Sequence, residues 1–480
     1  MGLNAAFAIG SAGLKVNQIA MEVASENIAN VNTPGYSRQR VLLETAPPTN
    51  HNGFPLGTGV KISTVERYYD ALLQKQLLNA GATSGYNNAN LQLLQQVEPA
   101  FNELVYDGLG SSINNFFNSW QDLTLNPSGT AERQAVLSKA EIMTDQFHYV
   151  SRTLTTAMVT QDESLDSQTS DINKQLKDIA YLNGQIKTTE LIQGNANEMR
   201  DQRDYLIRQL GENVAISFVE NADGTTDVSY SDATTVAPGP TSYALVTGST
   251  VVNEFDSSTT VGTLPDPANT PKHVIQLNPT GAGASVTIAP VTGKLGATLV
   301  TRDTTLQGYL TDLNAIANKL VTDVNGLHVS GAPGPLTYDN NGVVGAEFFD
   351  AAGTTAATIL LDVNVKGLPD NIAAASGATF YKGDNSNAMA IAQLNATNGY
   401  SMDYKALVAK VGQDVQSAKT VVSQDAAFMK QLVTLRDSNS GVSLDEELTD
   451  LIKFQRSYQA SAKLITTATD MMDIAIGLVR

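Results

Sequence analysis

The sequence predicts an α+β multidomain protein. Terminal coiled-coil helices and a long helical-bundle domain bracket a β-rich middle domain, and a second β-rich insertion follows it. Three observations lead there. Both ends carry apolar residues in alternating steps of four and three, the spacing of a coiled-coil seam. At the start these are Leu3, Phe7, Gly10, Leu14, Asn17, Met21, Ala24, Ile28 and Val31. At the finish they are Leu444, Leu448, Leu451, Gln455, Tyr458, Ala462, Ile465, Thr469, Met472, Ile476 and Val479. Between them the composition turns to Thr, Val, Gly and Pro from about 214 to 300, after which helical periodicity returns.

The first helix is expected over 3–31, ending at the breaker Thr33-Pro34-Gly35. Its only charges are Lys15, Glu22 and Glu26, too few for a solvated face, so neighbours enclose it on several sides. Tyr36 to Glu44 alternates as extended chain, a Pro/Gly/Asn-rich loop runs to Gly59, and Val60 to Val65 reads as a strand. Helical pattern covers 67–105 with a Gly/Ser/Asn break near 81–89. Ile113, Phe116, Phe117 and Trp120 pack a third helix. After Asn126-Pro127 a long helix opens near Thr130 and another follows, with Ile172, Leu176, Ile179, Leu182 and Ile186 on one face. A shorter helix spans 198–210, where Asp204 and Arg208 are spaced for an i,i+4 pair.

Residues 215–220, Asp223-Gly224 and 225–230 read as strand, turn, strand. A helix returns over 303–328, residues 330–384 are again Gly/Asp/Asn-rich and β-like, and helices resume at 387–395 and 401–435. Gly441 breaks the chain before a last helix from 444 to 478, opened by a capping box of Ser443 and Glu446. The domains that follow are 1–66 with 436–480 as a terminal assembly region, and 67–213 with 301–329 and 385–435 as the helical bundle. Residues 214–300 form the β-rich outer domain and 330–384 the insertion.

Of 480 residues, 42% are apolar and only 16% charged, against about 25% charged in an average domain. The net charge of −18 argues against nucleic-acid or anionic-membrane partners. The first fifty residues sum to zero and residues 444–480 to −2, so the middle carries −16 and the ends are the sticky part. Cysteine is absent, which excludes disulfides, thiol catalysis and Cys-based metal sites. No cleavable signal peptide and no bilayer-spanning run is expected. His51, His148, His273 and His328 fall in no metal-ligand spacing, and nucleophile-elbow, phosphate-loop and dinucleotide signatures are missing. The composition thus implies no enzyme, cofactor or metal.

The turn after the first helix is more specific. The run Ala24-Ser25-Glu26-Asn27-Ile28-Ala29-Asn30-Val31-Asn32-Thr33-Pro34-Gly35-Tyr36-Ser37-Arg38-Gln39 resembles the N-terminal signature of the bacterial flagellar rod, hook and junction proteins. Phe116 to Leu123, Asn126-Pro127 with Ala131 to Ala135, and Asp201 to Leu206 narrow the likeness to the junction members. Val442 to Glu447 and Phe454 to Ala460 match the family's C-terminal pattern. The resemblance covers about two thirds of the chain and implies a non-catalytic structural subunit joining hook to filament. It implies as partners the hook protein, a second hook–filament junction protein, copies of the chain in a ring-like layer, and a flagellar export chaperone on the C-terminal helix. It implies an extracellular place on the flagellum, reached by flagellar type III export, with a role in motility. The expected assembly interface is Leu3, Phe7, Leu14, Met21, Ile28, Asn27, Asn30, Thr33, Gly35, Tyr36, Leu444, Leu448, Leu451, Tyr458, Ile465, Met472 and Ile476. One of Asn27, Asn30 and Asn32 is expected to cap the first helix in the left-handed conformation, and the loop through Tyr36 to touch a neighbouring subunit. Another axial subunit (hook, rod or second junction protein) is the nearest rival reading, and a surface adhesin with coiled-coil ends a more distant one.

Overall fold

The computed structural model describes residues 3–51, 54–103, 108–232, 241–329, 336–377 and 382–477. Helix α1 (Leu3–Ala29) leads into an antiparallel pair, β1 (Gln39–Thr45) with β4 (Val60–Arg67), running from Gln39 opposite Arg67 to Thr45 opposite Val60 with a one-residue register shift between Leu42 and Leu43. Between them β2 (Thr49–His51) and β3 (Phe54–Leu56) form a small hairpin within the segment expected to be loop.

Helix α2 (Ala71–Val97) starts at Asp70, whose side chain accepts from the N–H groups of Leu72 and Leu73. It runs unbroken through 81–89, against the expected interruption. Its glycines serve close packing instead. A Cβ on Gly85 would overlap the backbone of Glu212, and one on Gly211 would overlap Leu78. Small residues on both helices let their axes approach where larger ones would hold them apart.

Helix α3 (Leu109–Leu123) presents Ile113, Phe116, Phe117 and Trp120 to the core, and the indole of Trp120 is fully buried. The two helices expected after Asn126-Pro127 are one, α4 (Thr130–Gln193), 64 residues and about 96 Å long. Helix α5 (Asn197–Asn213) returns beside it. Asp204 does not pair with Arg208: its carboxylate turns to Arg67, and Arg208 donates to Gln74.

The middle of the chain is β-rich, as expected. Strands β5 (Ile216–Glu220), β6 (Thr226–Asp232), β7 (Thr241–Thr247) and β8 (Thr250–Val251) make one antiparallel sheet, with Gly224 at φ 80° in the first hairpin turn. Strand β9 (Asn253–Asp256) joins β12 (Ile275–Pro279) and β13 (Val286–Ile288), while β10 (Thr260–Thr263) pairs with β11 (Pro271–His273). Leu245, Val246, Phe255, Ile275 and Leu277 from these strands share a core with Leu165, Ile172, Leu176 and Ile179 of α4.

Helix α6 (Gly293–Val300), a π-helical turn (Thr301–Leu306) and α7 (Gln307–Val329) follow. Residues 336–377 differ from a strand-built insertion. Among the described residues they hold three isolated bridges and one 3-10 turn, and Phe348, Phe349, Ile359, Leu361 and Ile372 enter the helical core beside Trp120. Side chains replace the missing ladder. Asn325 binds the backbone of Phe348 and Phe349, and Arg133 donates to the carbonyls of Pro369 and Ile372. The fully buried imidazole of His328 bridges Ala346 O and Ala373 N. Buried backbone groups must find partners, and here polar helix residues supply them.

Helices α8 (Ser386–Asn398), α9 (Tyr400–Ser440) and α10 (Leu444–Gly477) end the described chain. In the half nearest the termini the long helices lie side by side: α2 packs between α9 and α5, and α5 between α2 and α4. Helix α10 folds back along α1.

Candidate assembly interface

The two terminal helices pair antiparallel with each other. Gly10 lies against Ile465 and Leu464, Gly13 against Ser461, and Asn27 reaches Glu447. The seam is set by small residues. A Cβ on Gly10 would sit 2.7 Å from Ile465 Cγ1, and one on Gly13 2.7 Å from Ser461 Oγ. Gly10, Val16, Ala20, Val23, Ala24 and Asn27 form the covered face of α1. Leu14, Met21 and Ile28 flank that seam half-buried, and Phe7 is 46% exposed. The side chain of Leu3 lies outside the described residues. On α10, Leu451, Tyr458, Ile465 and Met472 turn toward α1, half-buried. Leu444, Leu448 and Ile476 are exposed, as are Ile452, Leu464, Met471 and Ile474. Leu464 touches Gly10 and Ile476 continues the side of Ile465 and Met472, whereas Leu448, Ile452, Met471 and Ile474 point away from α1. Asn17, on the seam, satisfies its own amide at Gly13 O.

A polar hub closes the base of the pair. Asn27 is 1% exposed and its amide is used on every side. Its Oδ1 accepts from Tyr36 Oη and Gln39 N at 2.9 Å each, and its Nδ2 donates to Gln39 O and Glu447 Oε2 at 2.9 Å each. Arg38 stands beside it. Its guanidinium meets Glu446 at 2.6 Å and Glu447 at 2.5 Å, and its N–H donates to Ser440 O. Burial alone would lower the Arg38 guanidinium, but Glu447 and Glu446 outweigh it and strengthen its hold on the proton. Glu446 therefore answers to Arg38, where a capping box would turn it back on Ser443.

The same loop is tied to α5. Ser37 N donates to Asp201 at 2.7 Å, Gln39 Nε2 to Glu198 at 2.7 Å, and Asn197 Nδ2 to Gln39 Oε1 at 2.9 Å. Arg67, at the end of β4, spans Asp201 and Asp204 at 2.8 and 2.7 Å with its guanidinium over the Tyr69 ring. Burial opposes its charge, yet the two carboxylates raise its pKa further. Glu26 titrates above the usual carboxylate range because it is partly buried and faces Glu198. Gly35 takes φ 86° with the Tyr205 ring against it, where a Cβ would be 3.0 Å from the side chain.

Three stretches far apart in sequence, 27–39, 197–204 and 440–450, thus meet at one point. None of Asn27, Asn30 and Asn32 has positive φ; the left-handed residue of the turn is Gly35. Asn30 closes the helix locally, donating to Glu26 O and accepting from Thr33 Oγ1. Tyr36 is buried against Asn27 within its own chain, and the exposed tip of the loop is Asn32 to Pro34. Arg67, Gln39, Asn197 and Glu198 are hub residues that periodicity did not mark. The signal available was the pairing of Arg67 at a strand end with the acidic start of α5.

Residues 94–349 match the family described as flagellar hook-associated protein FlgK helical domain. Residues 7–36 match flagella basal body rod protein, and residues 436–478 the flagellar basal body rod FlgEFG protein C-terminal family. The flagellar hook-associated protein 1 of Bacillus subtilis is 28% identical over 508 residues, covering 96% of each chain. That of Escherichia coli is 26% identical, covering 97% of this chain and 98% of its own. The solved flagellar hook junction protein FlgK from Burkholderia pseudomallei superposes with a TM-score of 0.62 at 15% identity, over 76% of this chain and all of that one.

Proposed function

The chain belongs to the FlgK family of flagellar hook-associated proteins, and from that premise we propose how its parts divide the work. The chain is a structural subunit of the flagellar axis that joins hook to filament, and it associates with other axial components. The family is one of structural flagellar proteins. The terminal region, 1–66 with 436–480, is the assembly unit. The helical bundle carries it, the segment 330–384 packs into that bundle, and the β-rich part, 214–300, faces outward.

One observation carries this division: α10 exposes Leu448, Ile452, Met471 and Ile474 on sides turned away from the Tyr458 and Ile465 side that α1 already holds. A monomer gains nothing from such exposure, whereas a second surface laid on these half-covered side chains gains part of the roughly 1.5–3 kcal/mol that complete burial of each would give. In the assembled flagellum that surface comes from neighbouring copies in a ring-like layer, with the hook protein on one side and the second junction protein on the other. Before assembly the same side chains are the natural seat of an export chaperone. The place of work is outside the cell, and no helix among the described residues is long and apolar enough to cross a membrane. Labelled antibody against the chain on isolated flagella tests the reading. Label confined to the hook–filament boundary is expected; label along the hook or the filament would overturn it.

A further inference from the structure

The dipeptide Asn-Gly occurs five times in the chain, at 52–53, 183–184, 325–326, 341–342 and 398–399. Asparagine loses its amide most readily there, because glycine has no side chain to shield its nitrogen from the preceding residue. The first pair lies outside the described residues. Three of the others are protected by the fold. Asn183-Gly184 lies within α4 and Asn325-Gly326 within α7, where the helical backbone turns the glycine nitrogen away from the side-chain carbonyl carbon. Both amides are also held at each end. Asn183 Nδ2 donates to Thr226 O and Gly248 O while its Oδ1 accepts from Thr226 N, and Asn325 binds Phe348 and Phe349. Asn398, at the end of α8, donates to Asp323 and Tyr400, and Gly399 N donates to Asn395 O at 2.9 Å.

Asn341 differs in each respect. It is exposed, in the turn between Tyr338 and Val344, outside any helix. Its Nδ2 reaches only Asn371 Oδ1, at 3.5 Å, the long limit of a hydrogen bond. Gly342 N donates to Asp339 O at 3.2 Å, longer than the bond of Gly399, and Gly342 takes φ 76°. The turn is pinned from Asp339, whose Oδ1 accepts from Asn341 N and Val343 N at 2.8 Å each.

We propose that Asn341 is a site of spontaneous modification, converting to isoaspartate and aspartate, and that the conversion loosens the turn and its seat on the helical core. The nitrogen of Gly342 attacks Cγ of Asn341, the Cγ–Nδ2 bond breaks, and ammonia leaves with the proton from the glycine nitrogen. A succinimide ring remains. Water then opens it: cleavage between the nitrogen and Cγ gives aspartate, and cleavage between the nitrogen and the former peptide carbonyl gives isoaspartate. Each conversion consumes a water and releases an ammonia. Isoaspartate adds a methylene to the main chain, which moves Gly342 and Val343 from their partners on Asp339. Either product adds a negative charge to a turn that already holds Asp339 and packs against Asp370 through Asn340. The bonds between Tyr338 and Ala375, next along the chain, tie this turn to the core. On the axial-subunit reading above, a chain retained on the flagellum carries the conversion as a record of its age.

Purified full-length chain, held in warm and mildly alkaline buffer, is sampled by peptide mass spectrometry with fragmentation that separates isoaspartate from aspartate. The Asn341 peptide is expected to convert at least about tenfold faster than the Asn183, Asn325 and Asn398 peptides, which react only through local opening. Isoaspartate should exceed aspartate. Conversion at 183, 325 or 398 as fast as at 341 would overturn the proposal. So would an Asn341 peptide that stays unconverted in folded chain while urea-unfolded chain converts it. Converted chain, separated by its added charge, should exchange the N–H groups of Tyr338 and Ala375 faster, and Asn341→Gln, whose longer side chain cyclises far more slowly, should not change on the same incubation. Exchange in the converted chain equal to that of fresh chain, or equal change in the variant, would overturn the loosening. Purified chain tests the site alone, so its failure leaves the axial reading standing, and antibody label away from the hook–filament boundary leaves the site standing.

Discussion

Asn27 donates to Glu447 Oε2 at 2.9 Å across 420 residues of sequence. Both side chains are almost wholly buried, at 1% and 3% exposure, so the bond forms where water cannot replace either partner. It makes the closing of the terminal pair depend on one amide.

Asn27→Ala is expected to be among the most damaging substitutions in the terminal region. It leaves Tyr36 Oη, Gln39 N and the Glu447 carboxylate with lost partners, at about 1–3 kcal/mol for each buried group. Hydrogen exchange should show the backbone of α1 and α10 opening faster by at least tenfold, about 1.4 kcal/mol, while α3 and α7 stay unchanged. Unchanged exchange at 447–468 would refute the role given to this amide.

Gly10→Leu tests the close approach of the terminal helices. A side chain there meets Ile465 and Leu464, so α10 must lift from α1. The expected result is a normal unfolding midpoint for the helical bundle, loss of protection in 461–468, and failure to enter flagella. Motility like that of the parent strain would count against the seam.

Inner and outer rows of α10 should respond differently. Ile465→Asp and Met472→Asp place charge against α1 and are expected to loosen the pair in the free subunit. Leu448→Asp and Ile452→Asp replace exposed residues and should leave monomer stability within about 0.5 kcal/mol while blocking incorporation. Calorimetry of purified chain beside a motility assay separates the two. Equal effects on stability would show that the outer row is already covered in the monomer.

His328 predicts a pH dependence of the helical bundle. Its Nδ1 donates to Ala346 O and its Nε2 accepts from Ala373 N–H, an arrangement only the neutral ring satisfies. Burial, despite the opposing pull of the Ala346 carbonyl, lowers its pKa from 6.5 to about 4. The folded pKa lies below the unfolded one, so the contribution is complete above pH 6.5 and is lost as pH falls toward about 4. The loss should reach about 3 kcal/mol across that window. Denaturant titrations at pH 7 and pH 4.5 check it, and His328→Gln should flatten this part of the profile.

Where one residue's period decides the outcome, sequence alone located the structure well. The terminal helices, the core face of α3, the 216–232 hairpin and the covered row Leu451, Tyr458, Ile465, Met472 were all legible. The expected α1 seam holds Gly10 and Ala24 together with Leu14, Met21 and Ile28, and the structure buries the first two and leaves the three large residues half-buried. Val16, Ala20 and Val23 join the covered face instead, and Gly13 meets Ser461, a small residue whose value is the room it leaves. Blindness to that value turned Gly81 and Gly85 into a helix break. Residues 336–377 looked like strands because turn residues between apolar runs resemble a sheet. Their backbone is satisfied by Asn325, His328 and Arg133 from far along the chain, and no local window contains such partners. The hub was half visible: the Asn-rich turn marked its place, while its ties to Arg67 and α5 depend on tertiary neighbours.

Asn27 and Glu447 lie 420 residues apart in the chain. A ribosome makes residue 27 long before residue 447, so the first helix waits unlocked until nearly the whole chain exists. A product truncated anywhere before Glu446 leaves the amide of Asn27 and the guanidinium of Arg38 short of the carboxylates that bind them. The fold thereby audits its own length, and a fragment cannot pass for a finished building block.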